Sequence, residues 1–158
     1  MSAKKTEETK VICQNKKARF EYELGEHIEA GLVLLGTEVK SLRLGKANLV
    51  DSYARLEGGE AYLVGAHISP YANTAYGNHD PQRRRKLLLK RKEINKLIGK
   101  VHEKGQSLIP LKLYFKNGRA KAELALAKGK KTYDKRQSMK EADSKRELSR
   151  TLKEFNRR

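Results

Sequence analysis

The chain has 158 residues, of which 36 are lysine or arginine and 19 are aspartate or glutamate, so its formal net charge at pH 7 is +17. This length favours a single domain, and no apolar run approaches the roughly 18 residues that a membrane-spanning helix needs. The first residues lack the apolar stretch of a secretion signal, and Cys13 as the single cysteine excludes an intramolecular disulfide. We therefore expect a cytoplasmic protein with a polyanionic partner.

The charge is unevenly distributed along the chain. Residues 20–82 carry a net charge of −5, whereas residues 83–100 carry +8 and residues 128–158 carry +7. Any one of these basic runs is equally well explained as a set of solvated side chains. The whole pattern, however, indicates a protein that presents particular basic faces to phosphates, as nucleic-acid-binding proteins do.

The first half of the chain predicts short strands. Residues 1–10 lack apolar content and are expected to form a disordered arm. Alternating apolar and charged residues over Ala18–Leu24 predict a half-buried strand, and Glu26–Gly31 predicts one helical turn. Residues 32–42 then predict a second strand that is broken or bent at Gly36.

The middle of the chain contains turn signals. Tyr53–Glu57 and Ala61–Val64 flank Gly58-Gly59, which predicts a β-hairpin. Residues 69–81 hold several turn-forming residues and predict a loop. Lys86–Leu89 fits either a short buried strand or the start of a helix, because periodicity cannot decide over four residues.

The last part of the domain predicts a helix and a hairpin. A helical face ends at Gly105 and consists of Ile94, Leu97, Ile98 and Val101. Alternating residues on both sides of Asn117-Gly118 predict a hairpin over residues 111–126. Six or so short strands with two to three helices predict a mainly β protein that forms a small closed barrel, since closure removes sheet edges.

The composition changes after Lys128. Leu148, Leu152 and Phe155 lie four and three residues apart, so a helix here has one narrow apolar stripe. Such a stripe offers little to pack against, and isolated helices are marginal below about 12–15 residues. The tail is therefore expected to be disordered when free and helical on an anionic surface. The predicted division is an arm over 1–10, a barrel over 11–128 and a tail over 129–158.

Catalytic and metal-binding patterns are missing from the sequence. The four histidines lack metal-ligand spacing, and neither a nucleophile elbow nor a phosphate-binding loop is found. Glu38 and Asp51 form a conceivable metal-binding pair of a nuclease, although strand carboxylates usually make structural hydrogen bonds. Asp80 before Pro81 is more simply a turn or a helix cap. We expect neither an enzyme nor a cofactor.

Seven strings, taken in order, are more specific than composition. They are Asn15–Ala18, Glu29–Gly31, Gly36–Arg43, Asn48–Tyr53, His79–Pro81, Arg85–Leu89 and Gly129–Arg136. The series resembles the small protein B (SmpB) family, the bacterial partner of transfer-messenger RNA (tmRNA, or SsrA RNA). The resemblance covers about residues 11–158.

The resemblance implies an OB-like (oligonucleotide-binding) closed β-barrel with flanking helices and a basic tail. It also implies that the protein binds the tRNA-like domain of tmRNA. With the tRNA-delivering elongation factor and GTP, the complex is brought to stalled ribosomes, where the nascent chain is tagged by trans-translation. The protein itself performs no bond chemistry, and a monomer suits a single tRNA site. Its tail enters the empty message channel.

The resemblance also implies a set of site residues. Those expected to bind RNA, with neighbouring basic residues of the 83–92 block, are Asn15, Lys17, Glu29, Arg43, Leu88 and Lys121. Lysine and arginine neutralise phosphates, whereas Asn15 and Glu29 can bond base edges or ribose hydroxyls. Leu88 packs against a splayed base or belongs to the barrel core, and both roles remain open.

In the tail, the resemblance places residues along the ribosomal decoding centre and the message channel. These are Lys128, Lys130, Lys131, Tyr133, Asp134, Lys135, Arg136 and Leu152. The alternative is a ribosomal or general single-stranded RNA-binding OB-fold protein. That alternative needs exposed aromatic stacking residues, and the chain has no tryptophan and only 3 phenylalanines and 7 tyrosines.

Overall fold

The computed structural model describes residues 8–72, 74, 77–130 and 132–157, and the side chains of all of these except 104, 132–135 and 138. The strands are β1 (Thr9–Gln14), β2 (Tyr22–Leu32), β3 (Ala47–Asn48), β4 (Tyr53–Glu57), β5 (Glu60–Val64), β6 (His67–Ile68), β7 (Arg85–Leu88), β8 (Ser107–Lys116) and β9 (Arg119–Gly129). The helices are α1 (Ala18–Glu21), α2 (Gly36–Arg43), α3 (Arg91–Lys104) and α4 (Thr132–Asn156).

Six strands form a ring in which every neighbouring pair is antiparallel. Hydrogen bonds connect β8, β4, β5, β7, β2 and β9 in that order, and the β8–β9 hairpin closes the circle. Strand β1 lies outside the ring and pairs with the second half of β8, while β3 and β6 form a separate two-stranded sheet. The prediction of a mainly β protein with short strands and helices is confirmed.

The ring has an apolar inner face and a polar outer face because side chains alternate along each strand. Ala122 and Leu124 of β9 are fully buried. Lys121, just before them, and Glu123, between them, are partly exposed. Leu97 of α3 joins the same core. The outer face is therefore the side on which polar side chains from several strands come together.

Both predicted hairpins and the predicted helix are confirmed. Gly58 and Gly59 have φ angles of 60° and 76°, and Asn117 and Gly118 have 51° and 77°. Positive φ at both central residues is the geometry of the type I′ turn, one of the two favoured two-residue hairpin turns. Helix α3 ends at Gly105 in the left-handed conformation. The ambiguous run after Arg85 is a strand, β7.

Two predictions for residues 18–31 are wrong. Ala18–Leu24 is not one strand, because α1 occupies its first four residues and β2 starts at Tyr22. Glu26–Gly31 is not a helical turn but lies within β2. A register shift between Leu24 and His27 interrupts the alternation of β2, and this bulge hides the strand from a period-2 analysis.

Residues 36–42, predicted as the end of a strand broken or bent at Gly36, lie in α2 instead. The Leu35 N–H donates to Glu38 Oε2 at 3.0 Å, which satisfies a backbone group at the start of the helix. Partners of Glu38 more than forty residues away in sequence hold it there, and a local sequence window does not contain them.

The prediction of a tail that is disordered when free is wrong, because the C-terminal segment forms the 25-residue helix α4. Its length exceeds the roughly 12–15 residues below which isolated helices are marginal, and its abundant Lys, Arg and Glu are good helix formers. Of the predicted N-terminal arm, Thr9 and Lys10 belong to β1, and residues 1–7 lie outside the described residues.

A buried ion-pair network connects α2 to β7. Glu38 accepts hydrogen bonds from Arg83 Nε and Nη2, both at 2.9 Å, and from Arg85 Nε at 3.1 Å. The side chains of Glu38 and Arg85 are fully buried. Arg85 also donates to the carbonyl oxygens of Ala66 at 2.6 Å and Pro81 at 3.0 Å, so one guanidinium ties the strand to the loop before it.

In the described part of the chain, no helix is both long and apolar enough to cross a membrane.

Replacing Glu38 by Gln tests the network. The change leaves Arg85 buried without its counter-charge, so the free energy of unfolding is expected to fall by about 3–5 kcal/mol. Urea denaturation measures the loss. The control is Glu57→Gln, which removes an exposed ion pair with Arg84 and should cost less than about 1 kcal/mol. Equal losses in the two variants would show that the network does not hold the fold.

Candidate nucleic-acid interface

Three of the six residues expected to bind RNA meet on the outer face of the ring. Glu29 of β2, Leu88 of β7 and Lys121 of β9 line one groove of about 540 Å³. We call it the β2–β7 groove; Lys90 and Arg91, at the start of α3, lie along its rim. Residues from distant parts of the sequence thus form one surface.

The strand register explains how Leu88 is presented in this groove. Gly31 lies opposite Lys121 on one side and opposite Leu88 on the other. A Cβ atom on Gly31 would lie 3.1 Å from Leu88 Cβ and 3.3 Å from its Cδ1, so the missing side chain makes room for the leucine. Leu88 is 54% exposed. This exposure excludes the role of Leu88 as a residue of the barrel core. The other role, contact with a base, stays open, because the side chain is accessible to a ligand.

Glu29 is held in a fixed, ionised state. The Tyr114 hydroxyl donates to its Oε2 at 2.5 Å, and Lys116 Nζ lies 3.5 Å from the same oxygen. The hydrogen bond from Tyr114 is the main cause that lowers the pKa of Glu29, and the charges of Lys116 and Lys121 lower it further. Burial, together with the bond to Glu29, raises the pKa of Tyr114. At neutral pH the groove therefore contains a carboxylate that only accepts hydrogen bonds.

The basic block at 83–92 is not one nucleic-acid-facing run. Arg83 and Arg85 are held by Glu38. Arg84 lies 3.7 Å from the centre of the Tyr62 ring and pairs with Glu57. Burial raises the pKa of Glu38, but the hydrogen bonds from Arg83 and from the Leu35 N–H and the two arginine charges outweigh it, so its net pKa is lowered. These three of the seven basic residues of this block are thus paired with carboxylates of the protein itself.

Asn15 and Lys17 lie at a different groove. This β4–α3 groove, of about 650 Å³, also contains Tyr53, Arg55 and Glu57.

Asn15 is only 7% exposed, and its Nδ2 donates to the carbonyl oxygens of Pro110 at 3.1 Å and Leu49 at 3.4 Å. Its amide therefore stabilises the end of β1. Lys17 points outward and pairs with Glu21 at 3.3 Å and with Asp51 at 3.8 Å; its hydrogen bond to Glu21 is the main cause of its raised pKa.

Arg43 is exposed at the C-terminal end of α2. It lies in a third, smaller cleft beside Lys10 and Phe115. The structure therefore separates the six expected residues into one group of three, one pair and one single residue. Their binding of RNA stays a prediction.

The hypothetical metal pair is not a site. Glu38 is buried against two arginines, whereas the Asp51 side chain is 78% exposed and lies near Lys17. Among the described residues, no group of three or more His, Cys, Asp or Glu side chains is placed to hold a metal ion. Asp80 Oδ1 accepts a hydrogen bond from the Gln82 N–H at 3.0 Å, so its predicted turn role is confirmed.

The chain leaving β9 is fastened to α1. The Lys130 N–H donates to the Glu21 carbonyl at 3.0 Å, and its Nζ donates to the Arg19 carbonyl at 2.9 Å. Lys128, Arg136 and Leu152 are exposed. Lys131 and the side chains of Tyr133, Asp134 and Lys135 lie outside the described residues.

Sequence reasoning missed Gly31 and Tyr114 as parts of the site. A signal for Tyr114 was present, because alternation in the last hairpin places it on the outer face with Lys112 and Lys116. Strand β9 then places Lys121 opposite Tyr114. The signal for Gly31 was absent, because its role depends on the pairing of β2 with β7.

An antiparallel ring whose outer groove is lined by lysine, arginine and glutamate side chains defines a class of small β-proteins that includes nucleic-acid-binding modules. The family model described as "SmpB protein" matches residues 12–154. The SsrA-binding protein of Syntrophobacter fumaroxidans is 60% identical over 147 residues, which cover 93% of this chain and 91% of the relative. That of Geobacter sulfurreducens is 59% identical over 145 residues, covering 92% and 95%.

A solved structure described as "tmRNA-SmpB: a journey to the center of the bacterial ribosome" contains a similar chain. The two are 52% identical with a TM-score of 0.64, and the match covers 76% of this chain and 85% of that one. This chain belongs to the SmpB family.

Replacing Tyr114 by Phe tests the state of Glu29. The pKa of Glu29 is expected to rise towards the ordinary glutamate value, because the variant loses the hydrogen bond that lowers it most. An NMR titration of the side-chain carboxyl carbons measures this shift. Tyr53→Phe, in the β4–α3 groove, is the matched control. A Glu29 pKa that is the same in all three proteins would contradict the described geometry.

Proposed function

We propose that this protein binds the tRNA-like domain of tmRNA and delivers it to stalled ribosomes for trans-translation. The observation that carries the proposal is the convergence of Glu29, Leu88 and Lys121 in one outer groove of a chain that belongs to the SmpB family. The protein acts by binding and positioning and is not an enzyme. We place it in the cytoplasm as a monomer.

The groove suits RNA that presents unpaired nucleotides. Lys121, Lys90 and Arg91 neutralise phosphates, while Leu88 offers an apolar surface to a splayed base. Glu29 would repel a phosphate, but it accepts hydrogen bonds from base N–H groups and ribose hydroxyls. In this proposal the six-stranded ring is an OB-like closed barrel whose outer face recognises the shape of the RNA.

The alternative of a general single-stranded RNA-binding protein receives less support. Stacking platforms need exposed aromatic rings. Among the described side chains, the aromatic residues with large exposure are Tyr53, at 42%, and Phe155, at 78%. These two lie in different parts of the chain, on β4 and α4, and not in the β2–β7 groove.

The ribosomal part of the proposal concerns α4. The body takes the place of the anticodon stem that tmRNA lacks, and the elongation factor with GTP brings the complex to the ribosome. Helix α4, about 37 Å long at 1.5 Å per residue, then enters the empty message channel. The residues that lead into the channel are Lys128, Lys130 and Lys131. Those proposed to lie at the decoding centre are Tyr133, Asp134, Lys135 and Arg136. Leu152 lies further along the channel.

The exposed residues of α4 support this role. Leu148, Leu152 and Phe155 are each more than half exposed, so the apolar stripe of the helix is not used by the body of the protein. The remaining surface is strongly basic, and ribosomal RNA supplies the phosphates that would attract it. We also propose the division into an N-terminal arm, a barrel and a tail, of which α4 makes up most of the tail.

Glu29→Ala tests the RNA-binding face. We expect affinity for a folded tRNA-like RNA to fall roughly tenfold to a hundredfold, in line with about 1–3 kcal/mol for a good hydrogen-bonded base contact. Gel-shift titrations measure the affinity, with poly(U) and a tRNA-like RNA as competitors. Unchanged affinity in a folded variant would contradict this face, and equal competition by both RNAs would favour the general single-strand binder.

Truncation after Gly129 tests the tail. We expect near-normal affinity for tmRNA, because the groove is intact, and loss of tagging in a reconstituted translation assay. Leu152→Asp places a charge in the apolar stripe and should impair tagging without affecting RNA affinity. Normal tagging by the truncated protein would refute the role of α4, and normal tagging by Leu152→Asp would show that any basic helix suffices.

A further inference from the structure

On the far side of Leu88 from Glu29, the β2–β7 groove has a second carboxylate, Glu60; a third, Glu93, accepts the Lys90 N–H at 3.0 Å at the start of α3. Glu60, the first residue of β5, lines the groove and is 42% exposed at its side chain. Ala61 pairs with Leu87 in the β5–β7 ladder, so Glu60 stands beside Leu88. Lys121, Gly31, Leu88 and Glu60 therefore follow one another across four neighbouring strands.

Glu60 is held in the same way as Glu29. The Tyr62 hydroxyl donates to its Oε2 at 2.9 Å, and Lys86 Nζ donates to its Oε1 at 2.9 Å. These two hydrogen bonds, that of Lys86 first, lower its pKa. Each side of Leu88 thus has one ionised carboxylate that is oriented by a tyrosine hydroxyl and a lysine.

The chemistry of this arrangement limits what binds beside Leu88. Two carboxylates repel a phosphate, whereas they accept hydrogen bonds from N–H and O–H groups. Unpaired nucleotides present such donors on their base edges and at the ribose 2′-hydroxyl. An exposed leucine between the two acceptors offers the apolar contact that a base face needs.

We propose that Glu60 is a specificity-determining residue of the RNA site. It accepts a hydrogen bond from the base or the 2′-hydroxyl of a nucleotide that packs on Leu88, opposite the contact made by Glu29. The proposal rests on the proposed function, since it names a further residue of the same site. Tyr62 is a positioning residue that acts through Glu60.

Glu60→Gln and Glu57→Gln form a matched pair of variants. The two residues face each other at the closed end of the β4–β5 hairpin, and both are partly exposed and paired with cations. Glu57 lines the β4–α3 groove and pairs with Arg84 at 2.9 Å. Each change removes one negative charge. If only electrostatics mattered, both variants would bind RNA as tightly as the wild type or more tightly. The proposal instead predicts roughly tenfold weaker binding for Glu60→Gln alone.

Glutamine keeps one neutral carbonyl acceptor in place of the two charged oxygens of Glu60, so the change weakens the acceptor. The salt dependence separates this weakened acceptor from a displaced lysine. If Glu60 contacts a nucleoside, the slope of log affinity against log salt stays as in the wild type. If Glu60→Gln weakens binding by displacing Lys86 from a phosphate, the slope falls by about 0.7–0.9, which overturns the proposal. Tyr62→Phe keeps the carboxylate and its charge, and it should weaken binding less than Glu60→Gln does.

The controls separate this inference from the function on which it rests. A wild-type protein that fails to bind tRNA-like RNA refutes the proposed function. A wild-type protein that binds, together with equal affinities for Glu60→Gln and Glu57→Gln, refutes only the role of Glu60. Thermal unfolding shows whether each variant is folded. If Glu60→Gln does not fold, Tyr62→Phe takes its place as the test, and an RNA affinity of Tyr62→Phe equal to that of the wild type refutes the proposal.

Discussion

The fully buried ion pair between Glu38 and Arg85, with Arg83 as a second partner, is the constraint on which the arrangement of the molecule depends. A buried carboxylate needs charged partners with good geometry, because desolvation of an unpaired ion costs several kcal/mol. Glu38 obtains them from Arg85, the first residue of β7, and from Arg83 just before that strand. It also accepts a hydrogen bond from the Leu35 N–H at the start of α2. Since β7 continues to Leu88, the network sets where this strand enters the ring.

The outer groove is a consequence of strand register. Alternation along the strands directs apolar side chains inward, and the same alternation directs Glu29, Lys121, Leu88 and Tyr114 outward. A shift of one residue would exchange the two faces completely. The buried Ala and Leu side chains of the ring therefore also determine which polar groups meet outside. Gly31 adds a local requirement, because a side chain there would occupy the space of Leu88.

The body and the helix α4 use their charges differently. In the body, Arg83, Arg84, Arg85 and Lys86 are all paired with carboxylates, and the groove contains fixed acceptors beside lysines. Helix α4 has an exposed basic surface with a narrow apolar stripe. In the proposed function, the body reads nucleosides as well as phosphates, whereas α4 follows a phosphate-lined channel.

The amino-acid sequence by itself determined the elements whose signals are local: two hairpins with glycine-containing turns, helix α3 with its terminal glycine, and the ordered motifs of the family. Only the tertiary structure decided which basic residues of the 83–92 block are buried and that Leu88 is exposed. It also made residues 36–42 a helix, because Glu38 depends on arginines 45 and 47 positions away. The bond between Tyr114 and Glu29 spans 85 positions, and such contacts depend on strand pairing that no local window contains.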